Sequence, residues 1–174
     1  MVTVAPVRMK FAESVADADV DVNRLRRTLS IGDRSVVLFA GRFVPAKDLS
    51  RWIEVARRIP ERTDTNPVFV LVGDGPQREA VKEAARVAGI SDSIRFPGWV
   101  DSAKLARYYR LGTVFLLTSQ YEGTSRVIVE AGMNEVPVVS TPVAGAIDNV
   151  ADGETGYVRD TTEQLADRVA HLLK

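Results

Sequence analysis

The chain has 174 residues, 23 basic and 23 acidic side chains, and no cysteine. This length suits one domain that buries a core without disulfides, and the lack of cysteine excludes thiol nucleophiles and thiolate metal sites. A formal net charge of zero gives no long-range attraction to nucleic acid or to an anionic membrane. We therefore predict neither as a partner of this segment.

The first 30 residues differ in pattern from the rest of the chain. Residues 2–7 predict an edge strand, and an acidic polar stretch leads from them to a short helix that carries several arginines. Because no aromatic residue is interleaved with these arginines, they indicate a solvated helix face. We interpret residues 1–30 as a linker or approach segment and residues 31–174 as one domain.

From residue 36 onward, short apolar runs alternate with helical patterns. Runs without polar residues are typical of strands that are buried on both faces of a parallel sheet. The predicted strands cover residues 36–40, 68–72, 94–96, 113–117, 137–140 and 156–158. Helices are predicted over residues 49–59 and 81–88, after Asp101, over 124–134 and over 161–173. The alternation predicts an α/β, Rossmann-like fold with a doubly wound parallel sheet.

Turn residues and charges follow the predicted strands. In an open parallel sheet, ligands bind outside the carboxyl ends of the strands. The segments at this edge are residues 41–47, 73–76, 97–99, 119–123 and 141–145. They carry two cations, a carboxylate and several glycines, which favours a cleft for a polar, phosphorylated ligand.

Arg42 and Lys47 lie five positions apart in the loop after the first core strand. Arginine offers a planar fork to phosphate oxygens and lysine a mobile point charge, so the pair suits a diphosphate. Position alone favours the alternative, which is two ordinary surface cations.

Glu122 and Glu130 are separated by seven residues, with Gly123 between them. Thr124 or Ser125 is predicted to cap the helix that follows, whose free N–H groups suit an anion. Glu130 would then accept hydrogen bonds from a vicinal diol such as ribose. The alternatives are an ion pair between Glu130 and the residue four positions earlier, and an ordinary loop acid at Glu122.

No metal site is predicted. The segment 17–21 begins like a calcium-binding loop, but Val22 stands at the position that requires glycine and Thr28 at the position that requires glutamate. The glycines at 73 and 75 lack the third glycine of a dinucleotide fingerprint.

The loop motifs, taken in order, resemble the C-terminal, donor-binding domain of retaining glycosyltransferases of family 4, which have the GT-B fold. The resemblance covers roughly residues 35–160 and depends on the order and spacing of short segments. These are Phe39-Ala40-Gly41-Arg42 with Lys47, Val72-Gly73-Asp74-Gly75-Pro76, Arg95-Phe96-Pro97-Gly98-Trp99-Val100, residues 119–123 through Glu130-Ala131, Gly145, and Asp152-Gly153-Glu154-Thr155-Gly156-Tyr157-Val158.

The resemblance implies a nucleotide-sugar partner, a UDP-, GDP- or ADP-sugar, with no cofactor and no metal. Arg42 and Lys47, beside Gly41, would hold the diphosphate, and the backbone at Phe96 and Pro97 would meet the base. Glu122 would lie beside the donor sugar with the N–H groups of Gly123 and Thr124. Glu130 would bind the ribose hydroxyls. The implied catalytic set is Arg42, Lys47 and Glu122.

The sequence departs from the family at several positions. Asp48 stands where the family usually has glycine, and Ala144-Gly145-Ala146-Ile147-Asp148 replaces a common Gly-Gly-x-x-Glu. The N-terminal GT-B domain, which carries the acceptor site, is not in this sequence. We expect that domain as a partner, little transfer by this chain alone, and a cytoplasmic location, with any membrane association belonging to the other half.

Two alternatives remain beside a hexosyltransferase. One is a stand-alone nucleotide-binding module or a subunit that needs a separate partner. The other is an α/β domain of another class, such as a response-regulator relative. A regulator would need an acidic cluster at the strand ends, whereas this sequence has Arg42 and Lys47 there.

Overall fold

The computed structural model describes residues 15–123 and 125–174, and the side chains from residue 22 onward. Its centre is a six-stranded sheet in which every neighbouring pair is parallel, in the order β3-β2-β1-β4-β5-β6. The strands are β1 (Val36–Ala40), β2 (Val68–Val72), β3 (Ile94–Gly98), β4 (Val114–Leu117), β5 (Val138–Ser140) and β6 (Gly156–Val158). This order confirms the Rossmann-like prediction, because the chain reverses direction across the sheet between β1 and β4.

Seven helices are described: α1 precedes the first strand, α7 follows the last one, and the others lie between strands. They are α1 (Val15–Thr28), α2 (Leu49–Arg58), α3 (Arg78–Val87), α4 (Ser102–Leu111), α5 (Arg126–Met133), α6 (Ala144–Asn149) and α7 (Thr162–Leu172). Two short 3-10 turns occupy Pro45–Lys47 and Ser91–Ser93. Among the described residues, no helix is both long enough and apolar enough to cross a membrane.

The helices cover both faces of the sheet. One set of contacts links α3, α2 and α7, and a second set links α1, α4, α5 and α6. Every residue of β1, β2, β4 and β5 is buried, so side chains on both faces of these strands have helices against them. A doubly wound sheet has this arrangement, and it explains why the strand sequences show bare apolar runs instead of alternation.

Trp52 fixes α2 on the sheet. Its side chain is fully buried, and its ring meets the ring of Phe69 edge-on, with 6.0 Å between centroids. The indole Nε1 donates a hydrogen bond of 2.9 Å to the carbonyl of Leu116 on β4. A buried indole needs a partner for this N–H, and the strand carbonyl supplies it. The contact sets where α2, and the turn before it, lie against the sheet.

Two glycine loops meet at the carboxyl edge of the sheet. Gly73 has φ +139°, and a Cβ there would lie only 1.9 Å from the carbonyl oxygen of Gly41. Gly41 N donates to the carbonyl of Val72, and Gly73 N donates to the carbonyl of Gly98. The loops after β1, β2 and β3 are therefore joined by main-chain hydrogen bonds that only glycine at 73 permits.

The predicted strands are all present, and the helical predictions are correct apart from their ends. The helix predicted near the N-terminal arginines is longer than expected, because it begins at Val15 within the segment interpreted as acidic and polar. The helix predicted from residue 124 begins at Arg126. The edge strand predicted over residues 2–7 lies outside the described residues.

Candidate functional site

Lys47 ends the 3-10 turn that follows β1, and residues at the end of β4 hold this turn. The Thr118 hydroxyl donates to the carbonyls of Lys47 and Asp48, at 3.1 and 3.0 Å. Gln120 N donates to the carbonyl of Ala46 at 2.9 Å. Because β1 and β4 are neighbouring strands, these bonds bring the two loops that follow them together.

Asp48 follows Lys47 at the position where the family resemblance leads one to expect glycine, and its backbone conformation is one that glycine adopts. Its φ is +45° and its ψ +55°, the left-handed conformation that glycine adopts most easily. Aspartate tolerates this region better than most residues. Its Oδ1 also accepts a hydrogen bond of 3.2 Å from Arg51 N, so its side chain caps α2.

Lys47 and Glu122 form an ion pair, although the sequence placed them in separate loops. Their side chains are only 17% and 13% exposed. The Ser119 hydroxyl donates to the same Glu122 oxygen, Oε1, at 2.8 Å. A cation and an acid thus share a partly buried position at the carboxyl edge of the sheet, where attraction between charges is less screened than at the surface.

The start of α5 follows Glu122 closely in the chain and contains a buried hydroxyl. Ser125 is 1% exposed, and its Oγ has no hydrogen-bond partner within the described part of the chain. Ser125 occupies the N-cap position but makes no capping bond through its side chain, so the predicted cap is not formed by Ser125. A Cβ on Gly145 would lie 2.6 Å from Ser125, which requires glycine there. Thr124 lies outside the described residues.

Glu130 lies one turn into α5 and accepts a hydrogen bond from a buried tyrosine of α4. The Tyr109 hydroxyl donates a hydrogen bond of 2.9 Å to Glu130 Oε2. Arg126 Nη2 lies 3.7 Å from Glu130 Oε1, so the alternative ion pair is also present. Burial, the Glu130 charge and the hydrogen bond all raise the pKa of Tyr109. Tyr109 therefore stays a neutral donor.

The side chain of Arg42 takes no part in the ion pair of Lys47 and Glu122 or in the contacts of Glu130. Its side chain is exposed, and the guanidinium makes no hydrogen bond or ion pair with any residue in ranges 15–123 and 125–174. Phe43, the next residue, is fully buried, and Phe43 N donates to the carbonyl of Asp74 at 2.9 Å, which joins this loop to the loop after β2. The backbone at position 42 is thus fixed while the guanidinium remains available to a ligand.

On the other side of the edge, Phe96 and Pro97 lie on β3 and are partly exposed. The Phe96 ring meets the Phe43 ring edge-on, with 6.4 Å between centroids. Arg78, at the start of α3, lies across this region: its Nη2 is 3.5 Å from the carbonyl of Phe96, and its Nη1 is 3.2 Å from Asp74 Oδ2. A planar base placed here would meet the β3 backbone and this guanidinium.

The hydroxyl groups of Ser119, Thr118 and Tyr109 contact the site, although the sequence did not predict them as site residues. Ser119 had a signal, since a hydroxyl three positions before Glu122 in a loop can bond its carboxylate. Tyr109 had none, because it falls on an apolar helical stripe. No group of three or more residues that could hold a metal ion occurs among the described side chains.

Comparison with known proteins identifies the family. The model of the family "Glycosyl transferases group 1" matches residues 21–174. The chain belongs to this family. It is 31% identical over 166 residues to the alpha-D-kanosaminyltransferase of Streptomyces kanamyceticus, covering 93% of this chain and 43% of that protein. A GDP-mannose-dependent alpha-(1-6)-phosphatidylinositol monomannoside mannosyltransferase of Mycobacterium tuberculosis is 31% identical over 158 residues, covering 86% and 41%.

A solved structure agrees with this membership of the glycosyl transferases group 1. The Alr3699/HepE protein of Anabaena, solved in complex with UDP, superposes with a TM-score of 0.73 at 26% identity, covering 88% of this chain and 42% of that one. The fold is that of a GT-B glycosyltransferase domain, as expected for a member of this family. The chain spans less than half of the length of these relatives.

Proposed function

We propose that this chain is the nucleotide-sugar-binding domain of a retaining, metal-independent hexosyltransferase. The observation that carries the proposal is the meeting of Lys47 and Glu122 beside the start of α5, where a buried Ser125 hydroxyl has no partner among the described residues. A phosphate there would find an ammonium, the N–H groups of a helix N-terminus and an unused hydroxyl.

The proposed roles follow from position. Lys47 and the free guanidinium of Arg42 bind the diphosphate, and Glu130 accepts hydrogen bonds from the ribose. Glu122 lies beside the donor sugar, together with Gly123 and Thr124. The space around the Cα of Gly123 is open, because a Cβ added there would have no atom within 4 Å. The backbone of Gly41 lies under Lys47, and Phe96 and Pro97 meet the base. The relatives named above include a GDP-mannose-dependent enzyme and a UDP complex, so both bases are tested.

The chemistry is charge stabilisation on the leaving group. Breaking the bond between the sugar and the phosphate leaves negative charge on the diphosphate. Arg42, Lys47 and the N-terminus of α5 are positive and already in place, which is the arrangement that stabilises such charge most effectively. These groups supply the positive charge that a metal ion provides elsewhere. Retention of configuration is carried over from the family resemblance.

The acceptor and its domain belong to the proposal as well. The relatives are more than twice as long as this chain, so we expect an N-terminal domain to complete the cleft and close on the bound donor. A cytoplasmic location remains a prediction. We expect the chain alone to bind donor and to transfer sugar slowly or not at all; transfer at full rate would contradict this.

A second candidate is a nucleotide-binding subunit that works only with a separate partner. Three large apolar side chains are exposed: Trp99 by 75% and Tyr121 by 72% in loops that follow strands at the ligand edge, and Ile147 by 62% on α6. Surface of this kind suits contact with another protein domain. The two candidates differ in transferase activity after the N-terminal half is supplied: the enzyme gains activity, and the binding module does not.

The proposal is tested by titration with UDP, GDP and ADP. A ligand at about 100 times its Kd should stabilise the fold by roughly 2.7 kcal/mol, which thermal unfolding detects. Glu130→Ala should weaken binding of the preferred nucleotide while the chain remains folded. If no nucleotide stabilises the wild type in the presence or absence of the N-terminal domain, the proposal is wrong.

A further inference from the structure

The carboxylate of Glu130 is held from inside the protein. Tyr109 Oη donates to Oε2 at 2.9 Å, and the Glu130 side chain is 33% exposed. The other oxygen, Oε1, lies 3.7 Å from Arg126 Nη2, which is too long for a hydrogen bond. One oxygen is thus bonded to the interior, and the carboxylate keeps most of its acceptor positions for a ligand.

Tyr109 is itself fixed in place. It is 1% exposed, and its ring packs against Phe115 on β4 with 5.8 Å between centroids. It lies near the end of α4, which contacts both α5 and β1. A buried ring of this kind has one position for its hydroxyl. The hydrogen bond therefore connects the orientation of Glu130 to the sheet and to a second helix.

Such a bond changes what the glutamate can offer a ligand. A glutamate on a partly exposed helix face samples several rotamers, and ordering it on binding costs about 0.5–1.5 kcal/mol. A donor that already selects one rotamer removes much of that cost. Two oxygens in a fixed plane also match a vicinal diol better than a mobile carboxylate does.

We propose that Tyr109 is a positioning residue that orients Glu130 for the ribose diol of the donor nucleotide. The inference rests on the proposed function of this site. Tyr109 contacts no ligand atom itself; it acts through the hydrogen bond to Glu130. The simpler account is that Glu130 merely satisfies a buried tyrosine hydroxyl, and the two accounts predict different binding by nucleotides that lack the diol.

The test compares a nucleoside diphosphate with its 2′,3′-dideoxy analogue. Wild type is first titrated with UDP, GDP and ADP, and the tightest ligand is then paired with its dideoxy form. In Tyr109→Phe, the ring stays and only the hydroxyl is lost. We expect affinity for the natural nucleotide to fall roughly 3- to 10-fold, the effect of one hydrogen bond. Affinity for the dideoxy form should change less than about twofold, because Glu130 has no diol to bind in it.

Tyr108→Phe is the matched control. Tyr108 is the neighbouring residue and lines a separate hollow of about 200 Å³ between α1 and α4. This variant should leave the ratio of the two affinities unchanged. Glu130→Ala should bring the two affinities close together, which verifies that the diol is read at this carboxylate.

Each remaining outcome has one meaning. If Tyr109→Phe weakens both ligands equally, the tyrosine only supports the fold and the inference is overturned. If neither affinity changes, the hydroxyl does not position Glu130, and the inference is again overturned while the donor site stands. If wild type binds no nucleotide, the proposed function fails and the inference with it.

Discussion

Lys47 and Glu122 are separated by 75 positions in the sequence and form an ion pair at the carboxyl edge of the sheet. The ion pair forms because β1 and β4 are neighbouring parallel strands, so the loops that follow them lie side by side at the carboxyl edge of the sheet. An incoming diphosphate would bring negative charge to the same ammonium and compete with Glu122 for it. Ser119 would continue to donate to Glu122, so the acid keeps a partner when Lys47 turns to phosphate.

Lys47→Met should therefore weaken binding of nucleoside diphosphates far more than binding of the nucleoside. A hydrogen bond to a charged group contributes about 1.5–3 kcal/mol, so we expect a loss of roughly 10- to 150-fold for the diphosphate. Calorimetric titration with both ligands measures the difference. Methionine keeps the length and the apolar stem of lysine, so packing changes little.

Lys82→Met is the control for this variant. Lys82 lies on α3 and pairs with Glu79, three positions earlier on the same helix. Removing this surface charge should leave both affinities within about twofold, because exposed pairs contribute little. Equal losses in the two lysine variants would show that net charge, and not a contact to phosphate, sets the affinity.

The sheet could be predicted from the sequence because its central strands are short segments that contain only apolar residues. Val36–Ala40 and Val68–Val72 are buried on both faces, and only central parallel strands combine such a run with helices on either side. The edge at which Lys47 and Glu122 lie also followed from the topology. Residues at this edge directly follow the strands in the sequence, so they can be identified once the strands have been predicted.

What the sequence could not show are contacts between distant positions on packed helices. Tyr109 appears as one apolar residue of a helical stripe, and only the packing of α4 against α5 places its hydroxyl at Glu130. Thr118 likewise appears in the sequence only as the residue after the predicted strand 113–117, whereas its hydroxyl donates to the carbonyls of Lys47 and Asp48. Neither contact has a fixed sequence spacing, so neither leaves a signal.

Asp48→Gly should strengthen nucleotide binding with little change in stability. The residue has φ +45°, which glycine adopts without strain, and replacing a capping side chain by glycine costs only a few tenths of a kcal/mol. Removing the carboxylate takes a negative charge away from the turn that carries Lys47. Affinity for a diphosphate should rise at low ionic strength, and the gain should shrink in high salt.

Asp48→Ala separates the two roles of this residue. Alanine lacks both the cap and the tolerance for left-handed backbone, so we expect it to lose about 1–3 kcal/mol of unfolding free energy. Urea unfolding of the two variants checks the comparison. A glycine variant as unstable as the alanine variant would mean that the cap, and not the backbone conformation, sets stability here.

Gly73→Ala should disrupt the joined loops at the ligand edge. The new Cβ would lie 1.9 Å from the carbonyl oxygen of Gly41, and neither is a flexible side chain that can move aside. We expect a loss of at least about 2 kcal/mol, or a displaced Gly41 loop with weaker diphosphate binding. Gly132→Ala is the matched control, because a Cβ there meets nothing within 4 Å and lies in α5. It should stabilise the chain by up to about 1 kcal/mol, since alanine favours helix.

Tyr109 should make the chain lose stability in alkali. Burial, aided by Glu130, raises the pKa of Tyr109 above its ordinary value of 10.0. When the pH is above 10.0, the tyrosine in the unfolded chain loses its proton, whereas Tyr109 in the folded chain keeps it. The unfolding free energy should then fall by up to about 1.4 kcal/mol per pH unit because of this one group.

Tyr109→Phe removes the titrating hydroxyl, so the variant should not show this part of the fall in unfolding free energy at high pH. Near neutral pH the variant should be equal to wild type or less stable by about 1 kcal/mol, since it lacks one hydrogen bond. As the pH rises toward about 11, the gap should close or change sign, because only wild type carries the buried hydroxyl. Urea unfolding of both proteins across this range gives the comparison.

The pH dependence of the unfolding free energy of Glu130→Gln should lie between those of wild type and Tyr109→Phe, since removing the carboxylate charge lowers the pKa of Tyr109 while leaving it buried. Parallel curves for wild type and Tyr109→Phe would show that the hydroxyl ionises as easily in the folded chain as in the unfolded one.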